Sequence, residues 1–164
     1  MARIKAHSTA TAYISRVISR HASVHSETAY ACAMLQHMGV AVPLGHLIQQ
    51  TGMVPAPEVA WEALACAHEA IAGVVAGTWG MPEPLQAILA RHHQLSRDDT
   101  DAVIATLILA DLIACEQGEG LSVAEHPPPS ATQVDAALER LDLPASWLPR
   151  IQRDAVEVLE RVGG

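Results

Sequence analysis

An all-α fold is what this sequence predicts, and three observations carry that expectation. The chain is Ala-rich with no Phe and only 3% aromatic residues, a composition that favours close-packed helices over pleated sheet. Apolar residues recur at three- and four-residue spacing with no alternating run to compete. Gly and Pro fall where such segments would start and stop. At 164 residues, half of them hydrophobic, the chain fits a single domain, residues 1–164, with a sizeable core.

The elements follow in order. His7, Ala10, Thr11, Ile14, Val17 and Ile18 form the stripe of a first amphipathic helix. A second starts near Ser26 or Glu27 and is expected to end at Gly39; a short third runs from about Pro43 to Thr51 and closes at Gly52. The next is expected to be one long helix, Glu58–Thr78, with Trp61, Leu64, Ala65, His68, Ile71, Ala72 and Val75 on one face. Pro82 suits the first position of a helix leading to His92 and His93. Asp98, Asp99 and Asp101 would favour the N-terminus of the most apolar helix, which reaches Glu116. After Pro127–Pro129, two helices near 132–141 and 144–161 complete about seven to eight.

Charge and cysteine content exclude several classes. A net charge of −8 with a single Lys argues against nucleic acid as partner. No uninterrupted apolar run approaches the ~18 residues of a membrane span, so no membrane partner is expected. The basic start, with Arg3, Lys5, Arg16 and Arg20 ahead of Glu27, reads as an ordinary amphipathic helix. Cys32, Cys66 and Cys115 are odd in number and form no CxxC pair, which fits a reducing cytoplasm. Cys66 and Cys115 read as small hydrophobes on apolar faces.

The chemistry-bearing signal is polar residues interrupting apolar stripes. His7 heads the first stripe, Gln36 and His37 end the second helix, His68 stands mid-stripe, and His92 continues the line of Leu85, Ile88 and Leu89. Asp111 lies between Ile108 and Cys115 on the most apolar helix. A buried Asp needs a partner, a hydrogen bond or a metal, and a His/Asp set is one that transition metals favour. Each residue also has a plainer role: helix-start His7, a dipole-compensating His92–His93 pair, or hydrogen bonding by Gln36 and His37.

The order of these residues resembles the HD superfamily of metal-dependent phosphohydrolases, and within it the HDOD branch of HD-related output domains. His7-Ser8, Ala33–Gly39, Glu62 with Ala67–Gly73, Trp79–Pro82, Ile88–His93, Leu109–Asp111 and Gly118–Gly120 carry the resemblance. It runs over roughly residues 5–160, onto the second half of a usual HDOD domain, and implies an HD/PDEase-like helical bundle. In an active relative, the positions of His7, 36–37 and Asp111 would hold a metal, with His68 and His92 or His93 serving a second metal or a phosphate. The departure falls on the pair: Gln36 stands for the family's His and His37 for its Asp, so a carboxylate is missing. The resemblance therefore implies a non-catalytic, cytoplasmic signalling module of bacterial type, acting through a protein partner or as a homodimer, with no cofactor required. Two alternatives stay open. One is a phosphohydrolase with an altered ligand set. The other is a sensor in which His7, His37, His68, His92 and Asp111, flanked by Gln36 and His93, bind Zn, Fe, Mn or Mg, or a small anion.

Overall fold

The computed structural model describes residues 2–95, 101–121 and 127–163. Among them the regular structure is helical throughout: α1 (Ala2–Ser19), α2 (Ser26–Leu35), α3 (Met38–Thr51), α4 (Pro57–Leu64), α5 (His68–Thr78), α6 (Glu83–Leu89), α7 (Asp101–Glu116), α8 (Ala131–Arg140) and, after a 3-10 turn at Ala145–Trp147, α9 (Leu148–Gly163). Asp98, Asp99 and His126 lie outside the described residues.

Helix α7 is the hub. Its residues 104–111 are all buried, the signature of a helix surrounded on every side. It packs against α1, α2 and α8, while α1 also meets α2 and α9. Ile14, Val17, Ile18, Ile104, Leu107, Ile108 and Ile151 share one core, each such burial stabilising by roughly 1.5–3 kcal/mol. Helix α8 opens on a capping box in which Ser130 and Gln133 satisfy each other's backbone amides.

Three boundaries differ from the expected ones, and each difference moves a histidine. The long helix expected over 58–78 is two helices, broken at Ala65–Ala67, so His68 begins α5 instead of sitting mid-stripe. Cys66, in that break, is exposed rather than packed on an apolar face. Helix α2 ends at Leu35, not Gly39, and α3 begins at Met38, not Pro43. Pro43 is accommodated inside α3, where its ring nitrogen cannot donate to the Gly39 carbonyl. Gly39 is an approach point, not a terminator: a Cβ there would lie 1.8 Å from the His68 carbonyl oxygen. Only glycine lets α3 run against the start of α5. The terminating glycine is Gly52, in the left-handed conformation (φ 66°).

By average hydropathy (1.3), Ser26–Thr51 is long and apolar enough to cross a membrane, although Gln36 and His37 interrupt it. Of its most apolar stretch, 44% is buried inside the fold, as core helices of globular proteins also are.

Candidate functional site

The helix breaks aim side chains at one another. His37 caps the start of α3, His68 opens α5, and His92 and His93 occupy the turn after α6. His7 comes from the middle of α1 and Asp111 from the middle of α7. All five candidates, His7, His37, His68, His92 and Asp111, are buried, at 5% exposure or less.

His37 is the centre of the group. Its ring lies 4.9 Å from His7, 5.9 Å from His92, 6.2 Å from His68 and 6.3 Å from His93, centroid to centroid. Two trios of potential ligands result, His7–His37–Asp111 and His37–His68–His92, each with ligand atoms within 4.8 Å of one another. His37 belongs to both. The half-buried His93 closes the ring against His92 and His68 at 4.3 and 5.2 Å.

Backbone carbonyls set the tautomers. The Nδ1–H groups of His7, His68 and His92 donate to the carbonyls of Glu119 (2.8 Å), Ala65 (2.6 Å) and Leu89 (2.9 Å). A carbonyl only accepts, so Nδ1 carries the proton and Nε2 is the atom available to a metal. That is the outer-shell arrangement seen around ligating histidines. His7 Nε2 meets Asp111 Oδ1 at 2.7 Å, which sets the imidazole and the acid directly against each other in the core.

Electrostatics keeps His37 and His92 neutral. Burial, reinforced by the rings of His7 and His92, holds the His37 imidazole well below the usual histidine range. Burial likewise lowers His92 to about 4, against the opposing pull of its bond to Leu89. At neutral pH both keep a nitrogen lone pair instead of a charge. Burial pushes the thiols of Cys32 and Cys115 up to about 12 and about 11, leaving them inert.

Gln36 is buried and directs its amide to Thr11 Oγ1 and to His37 Nε2, both at 3.4 Å. It braces the centre and stands outside both trios. Two supports escaped the sequence reading. Glu69 accepts from the His93 amide (2.8 Å) and from the Gln94 side chain (2.9 Å), pinning the 92–94 turn to α5. Trp61 packs its ring on His68 (5.6 Å) and His37 (6.2 Å). Glu69 could have been noticed beside His68, whereas Trp61 is indistinguishable from any stripe residue. The carbonyl partners leave no side-chain signal at all.

The donor set suits a borderline transition metal better than Mg, because imidazole outnumbers carboxylate. Four described surface cavities, from about 260 to about 580 Å³, are lined by other residues.

Comparisons with known proteins bear on the fold and the family. A search of curated proteins finds no match. Among solved structures, the fold is similar to the HD domain of the L. monocytogenes phosphodiesterase PgpH, crystallised in complex with cyclic-di-AMP. The TM-score is 0.58 at 14% identity, over 100% of this chain and 92% of that one. That likeness establishes an HD-type all-α fold. The HDOD domain model matches residues 1–95, which include His7, Gln36, His37, His68, His92 and His93. Asp111 lies beyond the match and joins the group through its contact with His7. The chain belongs to the HDOD domain family.

Proposed function

We propose that this chain is a non-catalytic regulatory module in cytoplasmic signalling of bacterial type, acting through protein contacts. The observation that carries the reading is His37. An imidazole occupies the hub position shared by both trios, where the family resemblance calls for a carboxylate. Asp111 is then the one acid in either trio, too little negative charge to hold and orient a catalytic dication. Burial of all five residues supports the same reading, since a substrate phosphate would have to reach them. The expected result is that phosphomonoesters, linear phosphodiesters and cyclic-di-AMP are hydrolysed no faster than background with Mg, Mn, Fe or Zn. Turnover that tracks added metal and disappears in Asp111→Ala would overturn it.

Apolar side chains left in water support the protein-contact reading: Val54, Val74 and Trp79 are 76%, 69% and 56% exposed, and such groups commonly mark an interface. Light scattering is expected to give a dimer at micromolar concentration, weakened in Val74→Asp/Trp79→Asp. A monodisperse monomer at high concentration would remove self-association and leave only a different protein as partner.

A second reading has its own support in the three Nδ1–H bonds to backbone carbonyls, which present Nε2 atoms as ligands. His7, His37 and Asp111, or His37, His68 and His92, would hold a transition metal, which when bound supplies Lewis acidity. At the first trio a metal would replace the direct contact between His7 and Asp111. Elemental analysis of protein purified without an affinity tag separates the readings: stoichiometric Zn or Fe favours the sensor, metal-free protein the plain module.

A further inference from the structure

On the α3–α4 side lies a cavity of about 260 Å³ that the His/Asp centre does not use. Ile4, Leu44, Ile48, Ala60, Trp61 and Leu121 wall it, from three helices and the segment after α7. Arg3 is the one charged residue among the described lining residues and is exposed. An apolar concavity favours an apolar occupant, because filling it removes wall and ligand surface from water together. One cation among otherwise apolar walls favours a ligand whose single charge is negative and terminal. The volume falls just under the range of drug-sized sites, about 300–1,000 Å³, and so fits one short chain.

We infer that this cavity binds a small amphiphile with one anionic end, a medium-chain carboxylate, with its chain among Leu44, Ile48 and Trp61 and its carboxylate on Arg3. The site goes beyond the regulatory reading and does not depend on a metal. It also has a built-in reporter: Trp61 lines the cavity and packs on His37 and His68, so an occupant touches the indole that braces the histidine centre.

The chain has three Trp, and replacing Trp79 and Trp147 with Phe leaves Trp61 as the reporter. Titration with decanoate, below its micelle concentration, is expected to change its emission saturably. Affinity should rise about fourfold per methylene from hexanoate to decanoate, the equivalent of ~0.8 kcal/mol per buried CH2. Decanoate should bind more tightly than decanol, and Arg3→Gln should erase that difference. Ala60→Leu, which fills the cavity, should abolish binding; Ile48→Phe, at a half-buried position, supplies a second block should Ala60→Leu fail to fold. Absence of a saturable change overturns the inference. So does binding indifferent to Arg3→Gln and to the filling variants, which is non-specific amphiphile association. A dimer lost in Ile48→Phe, with no amphiphile bound, overturns it as well by giving this face to a second copy.

Discussion

His37 shows how one residue sets the character of the centre. A carboxylate at that position would be shared by two ligand trios and would draw a dication; an imidazole, held neutral by burial, draws none by charge. The double variant Gln36→His/His37→Asp is expected to restore a His/Asp ligand set. Without metal it should be less stable than the wild type, because a buried carboxylate lacks a counter-charge. With free metal at a hundred times its Kd it should gain about 2.7 kcal/mol, a melting shift of several degrees in a domain of this size. Thermal melts with and without Mn or Zn measure both effects. The wild type should respond little. An equal response from the two proteins would mean the wild-type histidines already suffice and would favour the metal-sensor reading.

At the scale of elements, the centre is assembled by helix ends meeting, and small residues make the meetings close. Gly39 allows α3 to touch the first turn of α5, which sets His37 against His68. Gly73 does the same between α5 and the turn after α6, where a Cβ would stand 2.6 Å from the Ala90 Cβ. Gly39→Ala forces backbone against backbone, so it should cost more than the roughly 1–3 kcal/mol of ordinary overpacking. Chemical denaturation should show a lowered midpoint, or no cooperative transition at all. A loss under about 0.5 kcal/mol would show that α3 and α5 can slide apart freely. Gly45, with open space around its Cβ position, is the matched control. Gly45→Ala should be neutral or slightly stabilising in the middle of α3.

Across the whole molecule, the buried histidines tie folding to pH. In the unfolded chain His37 and His92 titrate near 6.5, whereas in the fold both are depressed, His92 to about 4. Above 6.5 neither state takes up the proton, and this contribution to stability is flat. As pH falls below 6.5 the unfolded chain is protonated first, so stability drops until the folded pKa is reached. For His92 the loss should be about 2 kcal/mol by pH 5, and His37 shifts stability in the same direction. Melting temperatures at pH 7.5 and 5 should therefore diverge by several degrees, and His92→Gln should narrow the gap. An unchanged gap in that variant would mean His92 is not the group responsible.

The sequence by itself determined the fold class and named the candidate residues that the structure brings together. Helical periodicity is local, so the α1 stripe of His7, Ala10, Thr11, Ile14, Val17 and Ile18 was legible and is buried as expected. A polar residue on an apolar face is conspicuous for the same reason, which singled out His7 and Asp111; His68 was singled out on a stripe that the structure breaks just before it, and His37 and His92 stood out through the family resemblance. Only the tertiary structure decided where the helices break and which atoms face one another. Nothing in Ala65-Cys66-Ala67 signals a break, since Ala is the best helix former; the break lies where His68 bonds the Ala65 carbonyl and α5 closes on Gly39. The 2.7 Å contact of His7 with Asp111 joins residues on two helices. Its partners acquire their distance only when α1 packs against α7, because packing, unlike periodicity, is not a property of neighbouring residues.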